Sequence, residues 1–122
     1  MIIVNLVNIM NLQKGGQKMN YKIFLCCGAG MSSGFLAQSM RKSAKKRKVM
    51  ATIEAASQSD VDSYIDDMDL LLVGPHMSYV FDELRNKAES CGKKMAVIPE
   101  EIYGNIDGEA LLDFAIDILE NK

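Results

Sequence analysis

The chain lacks an excess of either charge: 14 Lys and Arg stand against 16 Asp and Glu, a net charge of −2 at pH 7. That balance argues against a nucleic-acid binder, which is usually basic, and the 48% apolar content excludes intrinsic disorder. No uninterrupted apolar run is long enough to span a bilayer. Cysteine is scarce and odd in number, three in all with Cys26 and Cys27 adjacent. Such usage does not suit a disulfide framework and points to a reducing cytoplasm. The single histidine, His76, cannot complete a metal site, so no metal and no cofactor are expected. Internal repeats, low-complexity tracts and linkers are missing as well. What is present is 122 residues with enough apolar matter for one core, hence one globular domain.

The first 18 residues stand apart. They are apolar and Asn-rich but have neither the basic start nor the small-residue cleavage site of an export signal. They end in Lys14-Gly15-Gly16-Gln17-Lys18, and Lys-Gly-Gly is what a purine-rich ribosome-binding stretch becomes when translated. Residues 1–18 are therefore expected to be a non-native or flexible N-terminal extension, with Met19 the natural start and residues 19–122 the domain.

From Tyr21 onward, short apolar runs alternate with helical periods. Residues 21–26 read as a buried strand that stops at Gly28 and Gly30. Leu36, Met40 and Ala44 then recur at helical spacing, and Arg41, Lys42, Lys45, Lys46, Arg47 and Lys48 gather toward the helix end, where cations are favoured. That basic run reads as a solvated helix end, or as a surface for an acidic partner or anionic lipid. Val49 to Ala55 alternates as an edge strand does, with Ala51, Ile53 and Ala55 on one side.

Ser57 to Asp60 offers capping residues for a short helix carrying Val61, Tyr64 and Ile65. Leu70 to Val73 is continuously apolar, a central parallel strand. Met77, Phe81, Leu84, Ala88 and Cys91 predict a third helix closed by Gly92, and residues 95–98 a fourth strand. Asp107 caps a last helix with Leu111, Phe114, Ala115, Ile118 and Leu119 on its apolar face.

This alternation predicts an α/β three-layer sandwich: a four-stranded parallel sheet with helices on both faces. Placing the two most buried strands in the middle gives the order 2-1-3-4. Ligand crevices in such sheets lie outside the carboxyl ends of the strands, where the chain direction switches. The segments Cys27–Gly34 and Gly74–Tyr79 border that point.

Cys27-Gly28-Ala29-Gly30-Met31-Ser32-Ser33-Gly34 joins a strand to a helix through small residues, which lets successive backbone N–H groups form a nest for a phosphate or another dianion. The same dipoles favour a thiolate at Cys27, making its sulfur a nucleophile at neutral pH. Cys26, inside the strand, and Cys91, on an apolar helix face, read as core. Met31 is either an exposed contact for a partner or part of the core. Phosphatases with a cysteine loop of this geometry carry an arginine that clamps the transferring phosphoryl, and here that position is Ser33. An acid for the leaving group, often Asp before Pro, is missing too, since Pro75 follows Gly74 and Pro99 follows Ile98. A phosphocysteine could form here without a complete apparatus to hydrolyse it.

The stretch Ile23 to Ser33 resembles the C-x-A-G-M-S-[ST] loop of the lactose/cellobiose-type enzyme IIB (EIIB) of the bacterial phosphoenolpyruvate-dependent sugar phosphotransferase system. Leu72 to Tyr79 is similar to that family's L-L-G-P-Q-x-x-Y segment, and Ile102 to Gly108 contains its Y-G-x-x-D-G stretch. The likeness covers residues 20–121. It implies a fold similar to low-molecular-weight tyrosine phosphatases. It also implies that Cys27 accepts a phosphoryl group from a phosphohistidine of enzyme IIA and passes it to a sugar held by the membrane-embedded enzyme IIC, with cellobiose or another β-linked disaccharide the implied sugar. Residues 28–34 (Gly28, Ala29, Gly30, Met31, Ser32, Ser33, Gly34) would hold the phosphate, and Pro75, His76 and Tyr79 would line the rim or meet a partner. The implied location is the cytoplasm, transiently at the inner face of the membrane through enzyme IIC, with no membrane span of its own.

His76 stands where the family usually has Gln, and two readings remain for it: a neutral rim residue, or a part-time cation that helps bind phosphate or partner. Two other functions compete with a carrier, namely a phosphatase or arsenate reductase on the same scaffold, and a regulatory binding module. The serine at position 33 predicts that the isolated chain turns over para-nitrophenyl phosphate no faster than a small multiple of background. Rapid turnover in that assay would instead establish a hydrolase.

Overall fold

Leu70-Leu71-Leu72-Val73 is apolar at every position because both of its faces are covered. The computed structural model describes residues 20–26 and 31–120, with residues 31–33 given by their backbone, and it buries all four of these side chains completely. They form β3 (Leu70–Val73), which lies beside β1 (Tyr21–Cys26) in a parallel sheet flanked by β2 (Ala51–Ala56) and β4 (Lys94–Val97). The order is β2-β1-β3-β4, as the alternation of elements predicts. Ile23 sits opposite Ile53 on one side and Leu70 on the other, and Leu71 is opposite Met95.

The helices are α1 (Met31–Lys46), α2 (Val61–Tyr64), α3 (Phe81–Ser90), α4 (Glu100–Asn105) and α5 (Gly108–Glu120). Short 3-10 turns at Gln58–Asp60 and Ser78–Val80 lead into α2 and α3. Because strand side chains alternate, Ile23, Leu25, Leu70 and Leu72 pack against Leu36 and Met40 of α1 and Leu111, Leu112 and Ala115 of α5. Phe24, Cys26, Leu71 and Val73 point the other way, into a second cluster with Val61, Ile65 and Leu84. Each fully buried aliphatic side chain contributes about 1.5–3 kcal/mol, so the two clusters dominate the fold's stability.

Helix ends are closed by backbone geometry. Lys48 adopts a left-handed conformation (φ 59°) while Val49 N–H donates to the Ala44 carbonyl at 2.8 Å. Gly92 (φ 72°) does the same after α3, with Lys93 N–H donating to Ala88 O at 2.8 Å. Asp107 caps α5 as predicted, its Oδ1 accepting from Ala110 N–H at 3.0 Å. Long cationic side chains tie the layers at their rims. Arg41 Nε donates to the Ile53 carbonyl of edge strand β2 at 2.7 Å, Lys94 Nζ to the Ile118 carbonyl at 2.7 Å, and Arg47 pairs with Asp113 at 2.7 Å. The Tyr21 hydroxyl donates to Glu120 Oε2 at 3.3 Å, and its pKa is raised by burial first and by the Glu120 charge second.

Four details differ from the sequence reading. Helix α4 was not expected between the fourth strand and Asp107; Pro99 as its N-cap and Glu100 and Glu101 in its first turn are the signals for it, set against the poor helix formers Gly104 and Asn105. The helical spacing from Met77 becomes a 3-10 turn before α3 proper begins at Phe81. Ser57 does not cap backbone: its hydroxyl donates to Asp60 Oδ2 at 2.9 Å and lies 3.0 Å from that of Ser59. Cys91, expected in the core, is exposed, because α3 stops at Ser90 and the chain turns outward at Gly92.

Gly108 marks a close approach of α1 and α5. Its N–H donates to Ser39 Oγ at 3.1 Å, and a Cβ there would fall on the Ser39 hydroxyl and backbone. Gly108→Ala is expected to lower stability by about 1–3 kcal/mol through overpacking, read from urea unfolding. Gly104→Ala, where a Cβ meets open space, is expected to cost nothing measurable or to stabilise slightly.

Candidate functional site

The two central strands end side by side, and the direction of the chain switches between them. Gly74 N–H donates to the Cys26 carbonyl at 2.9 Å, so the segment after β3 starts hydrogen-bonded to the residue preceding Cys27. Cys27, Gly28, Ala29 and Gly30 lie outside the described residues, as does the extension 1–18. The backbone of Met31, Ser32 and Ser33 forms the first turn of α1, and Gly34 is exposed with open space around it. The end of β1 and the start of α1 therefore flank the glycine-rich segment in the chain. A helix of 16 residues opens there with no acidic side chain in its first turn. Its unpaired amides and positive dipole end favour an anion.

The wall after β3 is built by alternation of exposure. Gly74 is buried, Pro75 half-buried, His76 exposed, Met77 fully buried and Tyr79 74% exposed. Met77 anchors the segment in the cluster under α2 and α3, while Met77 N–H donates to Gly74 O at 3.1 Å and Val80 N–H to Met77 O at 3.0 Å. This turn leaves His76 and Tyr79 on the surface. The His76 ring meets that of Tyr103 on α4, with centroids 5.2 Å apart and planes tilted by 46°. Tyr103 was not singled out from the sequence, although the Tyr-Gly-x-x-Asp-Gly stretch contains it. The contact joins the wall after β3 to the segment after β4.

Three comparisons bear on this arrangement. The family model for the lactose/cellobiose-specific IIB subunit of the phosphotransferase system matches residues 22–114. The chain is 31% identical over 101 residues to the oligo-beta-mannoside-specific EIIB component of Bacillus subtilis, covering 83% of this chain and 98% of that one. It superposes with a TM-score of 0.73 and 32% identity on the cellobiose-specific phosphotransferase IIB component of Borrelia burgdorferi, covering 88% of this chain and 97% of that chain. It is also 26% identical, over 75% of its length, to 16% of the lactose-specific EIICB component of Staphylococcus haemolyticus.

The fold and its switch-point segments define an α/β sugar-phosphotransfer domain. The chain belongs to the lactose/cellobiose-specific IIB family of the sugar phosphotransferase system. No helix among the described residues is long and apolar enough to cross a membrane.

The cysteines differ in access. Cys26 is fully buried in β1, whereas Cys91 is exposed at the end of α3. Brief treatment of the native chain with iodoacetamide is expected to modify Cys91 and to spare Cys26 until denaturant is added. Peptide mass mapping reads the result.

Proposed function

We propose that Cys27 carries the phosphoryl group in this IIB domain. The observation that supports this most directly is the junction itself: β1 ends at Cys26 and α1 begins at Met31 beside the switch point of the sheet, where the Gly74 N–H meets the Cys26 carbonyl. The Cys27 thiolate attacks the phosphorus of a phosphohistidine on enzyme IIA; the S–P bond forms, the P–N bond breaks and its electron pair stays on the imidazole, which takes up a proton. In the second transfer a sugar hydroxyl oxygen attacks the same phosphorus, the O–P bond forms, and the thiolate departs with the S–P electrons while the hydroxyl proton is released. Residues 28–34 surround the phosphoryl oxygens with backbone donors. Ser33, in place of an arginine, keeps hydrolysis slow between the two transfers.

Pro75, His76 and Tyr79 form the rim on the side of β3. The acceptor sits on membrane-embedded enzyme IIC, a reading supported by a matching relative named as an EIICB component, and the exchange takes place at the inner face of the membrane. Relatives named for oligo-beta-mannoside, cellobiose and lactose favour a β-linked disaccharide as the sugar.

Incubation with phosphoenolpyruvate, the general phosphotransferase components and enzyme IIA is expected to place one thiol-linked phosphate on Cys27. Cys27→Ser removes all labelling and Cys26→Ser leaves it intact. The opposite pattern would overturn the assignment.

A further inference from the structure

Charge is divided along this chain. All 16 Asp and Glu lie at position 54 or later, whereas six of the 14 Lys and Arg fall within Arg41 to Lys48. Asymmetry of this kind between two parts of one sequence points to a polyanionic surface as partner.

The fold gathers these cations at one pole. Helix α1 starts after the carboxyl end of β1 and ends just before the amino end of β2, so its last turn and the residues beyond it stand where Tyr21 N–H donates to Met50 O at 3.0 Å. All six cations are exposed. Arg41 and Arg47 are engaged with Ile53 and Asp113, but Lys42, Lys45, Lys46 and Lys48 have no ion-pair partner among the described residues. A groove of about 660 Å³ at this pole is lined by Arg41, Lys45 and Lys48 together with Ala44, Val49 and Met50, and by no carboxylate among the described residues. Met50 is 63% exposed there.

Two features of the patch are not explained by stability. Lys48 holds the left-handed conformation (φ 59°) that closes α1, whereas α3 closes on Gly92 (φ 72°), the residue this conformation favours. A lysine at that position keeps a charge in place against backbone preference. Met50 presents a flexible apolar side chain to water beside free ammonium groups, although the core on that side is already filled by Ala44 and Ile53.

We propose that this pole docks on an anionic lipid surface, the lysines meeting headgroup phosphates while Met50 enters the boundary between headgroups and acyl chains. A nucleic acid fits the groove less well, because none of its lining residues is an aromatic ring on which a base could stack. Four free lysines and one apolar side chain make a reversible attachment, not an anchor. Helix α1 has 16 residues and is about 24 Å long, so lipid contact at its end leaves its start turned away from the bilayer, on the side open to a soluble partner. The docking does not depend on the carrier reading above.

Co-sedimentation of the full chain with vesicles tests this. Binding to vesicles of phosphatidylglycerol and phosphatidylcholine in equal parts is expected to be at least about tenfold tighter than to phosphatidylcholine alone, and to fall as salt rises. Lys45→Gln and Lys48→Gly are each expected to weaken it about fivefold, and Met50→Ser severalfold, while Arg85→Gln on α3 leaves it unchanged. Lys48→Gly is expected to keep or raise the urea midpoint, since glycine suits φ 59°, so its lost binding is separable from lost folding. Equal binding to both kinds of vesicle overturns the proposal. So do lysine variants or a Met50→Ser variant that bind like wild type, an equal loss in Arg85→Gln, or tighter binding of single-stranded RNA or polyglutamate than of the anionic vesicles.

Discussion

The parallel pairing of β1 with β3 is the constraint on which the rest depends. Both strands are buried on two faces, so both must leave the sheet at the same edge, and the crossovers then carry the chain in opposite directions from that point. The bond from Gly74 N–H to the Cys26 carbonyl extends the ladder one step beyond β3 and holds the two outgoing segments together. A helix start and a turn that meet at one edge of the sheet are thus a by-product of burying Leu70 to Val73. Chemistry placed there inherits a rigid floor.

Much of this was legible in residues 20–122 because apolar runs and helical periods are written in one dimension. The continuous apolarity of Leu70 to Val73 and the alternation around Ile53 told central from edge strand, and that distinction was sufficient for the order 2-1-3-4. What escaped depended on length or on distant partners. Helix α4 has six residues, too few for a period to repeat. Cys91 matched the helical spacing from Met77, but spacing does not say where a helix stops, and the turn at Gly92 carries it outward. The ring contact of His76 with Tyr103 joins the turn after β3 to helix α4 and leaves no trace in local pattern. Of the site itself, the motif was legible as a motif, and the described geometry supplies its frame.

The charge arrangement complements that frame. Arg41 on α1 and Arg47 just beyond its end serve two structural ties, Arg41 to the β2 backbone and Arg47 to Asp113, and the neighbouring lysines face solvent far from the helix start. A cysteine loop without its own arginine can stabilise a bound phosphoryl through fixed amide dipoles while lacking a mobile cation to speed its loss to water. On the proposed carrier reading retention and transfer are separable: the loop would hold the phosphoryl, and each partner would drive its own step of the exchange.

The ties at the two sheet margins have a consequence for handling the protein. An unpaired outer strand is a template on which a second chain can add itself, the first step toward fibrous aggregates. The guanidinium bound to the Ile53 carbonyl occupies a backbone acceptor on one margin, and on the other the Lys94 side chain folds across to the last helix. Each margin therefore carries a charged guard that would have to be displaced before stray strands could stack, which favours a chain that stays dispersed when concentrated.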